Sequence, residues 1–261
     1  GNGNNLIIGN NNAANTGSSG SIIGGNNNAS SGGYNTVSGT YNSVNGTNNL
    51  VVGDNSTAKK TFTGSNNVIA GLNHVALTTN NNSLLVGNLN NIVGTTSSLI
   101  GGTGNITTGT SSGLIMGGNI NTATANYNIL TGDHNTANTT GNILGGSTNT
   151  ADTGSGNSLV VGTSNISRGT GNIIGGLNNI MKGSNNLVVG DNTGAGVPFE
   201  MTGNNNIIAG LNHKLTKCER NVVTGSASAL DCSLGTSIAN NFISGETITI
   251  TTSASSSANN N

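Results

Sequence analysis

The chain has 261 residues and a formal net charge of -1, with 6% charged and 2% aromatic residues, 43 glycines, one proline and no tryptophan. So neutral a chain, its few Lys and Arg scattered, lacks the electrostatic term on which nucleic-acid binding mostly runs, and its apolar runs are far too short to span a bilayer. With 32% hydrophobic residues it cannot build a conventional core, yet apolar triplets return at a regular interval, which a disordered chain does not need.

In chain order, the opening "GNGNNL" has neither an initiator Met nor a signal-peptide pattern and reads as a mature product or a piece of something longer. The repeat begins at once. Each apolar triplet runs into a glycine, giving Asn-Φ-Φ-x-Gly-x-x-Asn-x-Φ, where Φ is apolar. The anchors are Gly9, Gly25, Gly39, Gly53, Gly71, Gly87, Gly102, Gly117, Gly132, Gly146, Gly162, Gly176, Gly190, Gly210, Gly225 and Gly245. Units this short hold two five-residue strands and two tight turns but no helix, so the spacing predicts an all-β fold, a parallel β-solenoid (β-roll) of about 16 coils of roughly 14 to 16 residues. Residues 1–245 are expected to form a single continuous solenoid, with the glycines at corners where positive φ is needed.

Four positions before the glycine stands a column that includes Asn5, Asn35, Asn49, Asn67, Asn128, Asn142, Asn172, Asn186, Asn206, Asn221 and Asn241. A second column after the glycine includes Asn12, Asn28, Asn42, Asn90, Asn105, Asn121, Asn135, Asn149, Asn165 and Asn179. Amides stacked at about 4.8 Å can bond one another and the turn backbone, so both columns predict Asn ladders. A taste for turns explains the abundance of Asn but not its fixed phase.

Within the triplets the middle residue (Ile7, Ile23, Val37, Val51, Ile69, Leu85, Ile100, Ile115, Leu130 and onward to Ile243) is always apolar and is assigned to the interior. The residue before it faces the other way, and it too is apolar: Leu6, Ile22, Leu50, Val68, Leu84, Leu99, Leu114, Ile129, Ile143, Leu159, Ile173, Leu187, Ile207 and Val222, with Thr36 the polar exception. A rod on the order of 75 Å carrying such a stripe exceeds what soluble monomers leave exposed. The expectation is side-by-side association of the chain with itself, most simply as a trimer around the stripe or as a filament; the alternative is a wide monomeric solenoid whose long turns fold over the sheet.

The unit resembles the short β-roll repeat in the head domains of trimeric autotransporter adhesins and related phage and viral fibres, where an apolar-x-apolar-Gly strand packs against sister chains. In wording, "NTVSGTYNSVNG" at Asn35 to Gly46 and "GSNNVIAGLNHVA" at Gly64 to Ala76 also resemble the ice-recrystallisation-inhibition proteins of grasses. That family is similar in keeping Thr, Ser or Val at its outward positions; here Leu or Ile stands there, and only the unit with Thr36 and Ser38 follows it. The remaining ice-type column is Thr122, Thr136 and Thr150, from the recurring "NTA", set against the plainer reading of an exposed β-branched column.

A longer period overlies the short one: Thr47 to His74 returns as Ser184 to His213. Each copy holds an enlarged turn, with Lys59, Lys60 and Phe62 in one and Val197, Pro198 and Phe199 in the other, which would serve specific contacts or act as bumpers between rods. "GTSSG" at Gly109 to Gly113 matches a nucleophile elbow but lacks the strand-to-helix setting, and no His pair has metal-ligand spacing. No enzyme activity, cofactor or metal is expected. Sequons begin at Asn28, Asn45, Asn55, Asn81, Asn105, Asn138 and Asn165 and would be glycan acceptors in a secreted eukaryotic chain.

Cys218 and Cys232 lie one coil apart, a spacing that predicts a disulfide and an oxidising compartment, with two small buried thiols as the alternative. Residues 246–261 leave the repeat for a Thr/Ile alternation, read as a terminal strand over Thr247 to Thr251, and then a polar tail. The sequence thus points to a non-enzymatic extracellular or cell- or virion-surface solenoid that builds a fibre, appendage or adhesive stalk, with ice binding as the second reading. Its expected partner is itself, with no nucleic acid and no membrane insertion; any surface receptor is unspecified.

Overall fold

A computed structural model describes residues 3–55, 59–193, 200–233 and 239–251. Every regular element among them is a β-strand, and the chain divides into two compact units, Gly1–Asp133 and His134–Asn261. Both are parallel β-solenoids.

In the first unit, five-residue strands from Leu6–Asn10 to Ile129–Asp133 stack in parallel, each on the equivalent strand of the next coil. The register places like on like: Leu50 on Val68, Val51 on Ile69, Gly53 on Gly71. A second sheet runs from Ala13–Ala14 through Asn42–Asn45 and Lys60–Ser65 to Thr122–Ala123, and the short strands Thr95–Thr96 and Ser111–Ser112 pair on a further side. The second unit repeats the plan. Its first sheet runs from Ile143–Ser147 to Phe242–Glu246, and its other side from Thr136–Ala137 to Glu200–Thr202 and then through Lys214–Thr216, Ala229–Asp231 and Thr249–Thr251.

The core of each unit is the thin layer between its sheets. Val37, Val51, Ile69, Leu85 and Ile100 are buried with Val44, Phe62 and Ile92 in the first unit; Leu144, Val160, Ile174, Val188 and Ile208 with Ala151, Met181, Met201 and Leu215 in the second. Buried asparagines close the remaining space. Asn165 shows how: its backbone N–H donates to Asn149 Oδ1 (3.0 Å), its Nδ2 donates to the carbonyls of Val161 (2.9 Å) and Gly176 (2.7 Å), and its Oδ1 accepts the N–H of Asn179 (3.0 Å). The other column does the same from Asn172 to Asn186 (3.0 Å), Asn206 (2.9 Å) and Asn221 (3.1 Å). Ladder amides thus satisfy turn carbonyls and N–H groups that would otherwise be buried unpaired.

Four expectations are corrected. The anchoring glycines are not corner residues but, Gly117 apart, the fourth residue of each first-sheet strand. Gly176 has φ +113°, and a Cβ there would overlap the carbonyl oxygen of Gly190 in the next coil. The corners are made by residues in the left-handed region, such as Asn48 (φ 58°), Asn66 (φ 59°) and Tyr127 (φ 55°), which Asn tolerates through its short polar side chain.

The second correction is one of phase. Around "GLIMGG" the strand is Ile115–Asn119, aligned so that Leu99 meets Ile115 and Ile100 meets Met116. Met116 is therefore the interior residue, Ile115 faces out, Gly118 takes the glycine position with φ +100°, and Leu114 sits fully buried in the ladder column. Three consecutive apolar residues left the phase open to sequence reading; the stacking register decides it. Leu114 still follows the ladder through its backbone, its N–H donating to Ser98 Oγ at 3.2 Å.

Third, Phe62 is not a turn residue but a buried residue of the strand Lys60–Ser65, aligned with Val44. Its counterpart in "MTG" of the second copy is Met201, buried in the same way; Val197, Pro198 and Phe199 lie outside the described residues. Fourth, Asn28, Asn55, Asn105 and Asn165 are buried with Nδ2 committed to ladder bonds, so four of the sequons offer no side chain for a glycan on the folded chain. Asn81 and Asn138 are half-buried and Asn45 is exposed. At the C-terminal end, Thr249–Thr251 is the second strand of its coil, paired in parallel with Ala229–Asp231; Thr247 is a left-handed corner with φ 57°, and residues 252–261 lie outside the described residues.

Candidate functional site

Alternate side chains of a strand share a face, so the first, third and fifth residues of each first-sheet strand look outward; the first and third columns make the apolar part of that face, and the fifth carries Asp54, Asp133, Asp191 and Glu246 along its edge. In the first unit, Leu6, Ile22, Leu50, Val68, Leu84, Leu99 and Ile115 are exposed, Leu50 at 40%, and Ile129 is half-buried. In the second, Ile143, Ile173, Ile207 and Phe242 are exposed, Phe242 at 65%, while Leu159, Leu187 and Val222 are half-buried. No charged residue stands in the first or third column, whose polar members are Thr36, Ser38, Thr131, Thr224 and Ser244.

The third-residue column gives the face relief. In the second unit the register runs Gly145, Val161, Gly175, Val189, Ala209. Val161 and Val189 project into solvent, and a Cβ on Gly175 would lie 3.7 Å from Val161 Cγ2. Ridges therefore alternate with hollows every second coil, about 9.6 Å apart at the usual strand spacing.

The second-sheet side has a different chemistry. Asp152, Arg168, Lys182 and Glu200 form a chain of ion pairs across its coils: Arg168 to Asp152 and to Glu200, each at 3.1 Å, and Lys182 to Glu200. A hydrogen bond from the Thr153 N–H, and then the Arg168 guanidinium, hold the Asp152 carboxyl below its usual range. Along the chain these charges look scattered, but separations of 16 and 14 residues, one coil each, are the signal that joins Asp152, Arg168 and Lys182.

Of the other candidate residues, Thr136 and Thr150 align in register and are half-buried, but the next residue in that column is Ile166. Thr122 is half-buried and follows Ile106. Lys59 is exposed, Lys60 half-buried. Cys218 and Cys232 are bonded, with Cα atoms 5.3 Å apart, tying consecutive coils. Ser111 of "GTSSG" lies on a short strand with its Oγ buried, and among the described residues no three His, Cys, Asp or Glu side chains converge as a metal site would require.

Fold and face together define a parallel β-solenoid repeat protein with an uncovered apolar sheet surface. Comparison with protein-family models, with curated proteins and with solved structures finds no match.

Proposed function

We propose that the chain is a non-enzymatic structural or adhesive solenoid that associates with further copies of itself through the outward face of its first sheet, building an oligomer, fibre or surface appendage. The observation that carries this reading is the uncharged double column just described. Fully burying an exposed Leu or Ile is worth about 1.5 to 3 kcal/mol; these side chains are already about half covered within the chain, so each contributes roughly half of that before entropy is deducted, and a column of them still supplies a drive to associate.

The relief argues for a second copy as the occupant. Hollows at Gly145 and Gly175 alternate with ridges at Val161 and Val189, repeating every second coil, and a surface of the same repeat, shifted by one coil, fills them. Sheets pack face to face about 10 Å apart through such interdigitation. The likeness to the heads of trimeric autotransporter adhesins and viral fibres, and a disulfide in a chain otherwise poor in cysteine, support an extracellular or virion-surface setting.

Replacing Leu159, Ile173 and Leu187 together by Asp tests it. Each new charge would have to be desolvated on assembly at several kcal/mol, so light scattering should show the wild-type oligomer reduced to monomer. The solenoid should keep its circular dichroism, because Val160, Ile174 and Val188 still fill the interior. A wild-type chain that is monomeric at high concentration would overturn the proposal. Ice binding is the second reading, favoured by the aligned Thr136 and Thr150; it requires a monomer that halts ice recrystallisation and loses that activity when Thr122, Thr136 and Thr150 become Lys.

A further inference from the structure

The second Asn column is interrupted in the same way in both copies of the long repeat. It reads Asn42, Asn55, His74, Asn90 in the first unit and Asn179, Asn192, His213, Ser228 in the second. Asn55 and Asn192 continue the ladder through their side chains, Nδ2 donating to Asn42 Oδ1 (2.9 Å) and Asn179 Oδ1 (3.0 Å), while their backbone N–H groups donate to the carbonyls of Thr40 and Leu177. His74 and His213 then take the amide's place. Both are buried, at 3% and 2% exposure.

Each imidazole imitates half of an asparagine. Nε2 lies 3.3 Å from the Ala70 carbonyl and 3.1 Å from the Ala209 carbonyl, the bond that Asn165 Nδ2 makes to the carbonyl four residues back. His213 also bonds the Gly225 backbone. A carbonyl can only accept, so Nε2 carries the proton and Nδ1 is the bare nitrogen of the neutral ring. Nδ1 of both histidines is buried with no hydrogen-bond partner. The neutral ring tolerates this; a second proton would put a donor and a full charge where nothing accepts either.

We propose that His74 and His213 are a pair of acid-labile joints, one in each unit, at which the coil opens when the buried imidazole gains its second proton. The charged groups on the elements packed around them offer no relief. Around His74 these are Asp54, Lys59 and Lys60; around His213 they are Asp191, Glu200, Lys214 and Asp231. All are half-buried or exposed, and none is ion-paired with either ring. Burial lowers the affinity of both rings for a proton, outweighing the backbone bonds that raise it. The sign follows: the opened coil binds the proton more tightly than the closed one, so closure is fully favoured above about pH 6.5 and is lost progressively as pH falls through the lowered value of the closed state. Both histidines follow the coils in which the repeat spacing is lengthened after Asp54 and Asp191.

Hydrogen exchange on the intact chain at pH 7.5 and pH 5.0, corrected for the intrinsic rate, tests this. Amides of 68–93 and 207–231 should lose protection by about tenfold for each pH unit below about 6.5, down to the closed-state pKa or to pH 5.0, whichever comes first, while those of 99–119 and 143–177 hold theirs. The double variant His74→Asn/His213→Asn restores the ladder residue and should abolish the acid-dependent loss; exposed His134→Asn should leave it intact. Equal protection at both pH values in the wild type, or the same acid-dependent loss in the double variant, would overturn the proposal. Imidazole NMR titration of the wild type needs no variant: two rings protonating at or above the ordinary value with their coils still closed would overturn it as well.

Discussion

The two sides of each coil are built to different tolerances. First-sheet strands are all five residues long, share one register, and carry a large apolar residue at their second position in every coil. On the other side, strands run from two residues to seven, and the inward residue ranges from Ala137 and Ala151 through Ser167 to Met181, Met201 and Phe62. The outward residues differ as well: mostly apolar in the first and third columns of the first sheet, but Lys60, Lys182, Glu200 and Lys214 on the other. The first sheet carries the repeat because each of its strands has a glycine where successive backbones come too close for a side chain, which locks the register there; on the other side the same close approach is made only at some coils, as at Gly46, Gly64 and Gly183. With the coils aligned by one side, the other is free to vary in length and volume.

The sharpest way to break that asymmetry is to disturb the locked side. Gly176→Val must place a Cβ on the Gly190 carbonyl at φ +113°, and should cost about 4 kcal/mol or more; loss of the β signal in circular dichroism, or a chain recovered only as aggregate, is the expected result. Close behind comes the ladder that joins the two sides. Asn165→Leu keeps the size but strands the Val161 and Gly176 carbonyls and the Asn179 N–H, each buried polar group left unpaired costing about 1 to 3 kcal/mol, to be read as a lowered urea midpoint. That Leu114 is tolerated in the other column shows that the cost depends on what the amide was satisfying, not on the column as such.

On the permissive side the same kind of intrusion should matter less. Ala151→Leu adds volume beside Leu144 and should cost about 1 to 3 kcal/mol by overpacking, whereas Met181→Leu should cost under about 1.5 kcal/mol because volume is nearly conserved; a denaturation pair that reversed this order would show the second side to be as constrained as the first. Smallest of all is Arg168→Ala. The ion pairs it breaks are partly exposed, so about 0 to 1 kcal/mol is expected, shrinking further in high salt.

Much of this architecture was legible in the sequence because it rests on periodicity. A strand turns its side chains out and in with period two, and a coil returns each position to the same place, so the apolar columns, the glycine column and the amide columns declared the parallel solenoid and which face of it would be apolar. What the columns could not supply was phase wherever several apolar residues adjoin. "GLIMGG" fits two registers by composition, and only the pairing of Ile100 with Met116 chose between them. Nor could they separate the two reasons for a glycine. The carbonyl of the next coil, not a corner, excludes a side chain at Gly176, while at the corner Gly113 the ring of Tyr127 lies 2.6 Å from where a Cβ would stand. Burial was decided by the tertiary structure for the same reason. Phe62, Asn55 and the two ladder histidines look like turn residues along the chain and become interior ones only when the neighbouring coils close over them, since what surrounds a residue in a solenoid is contributed by segments one coil away.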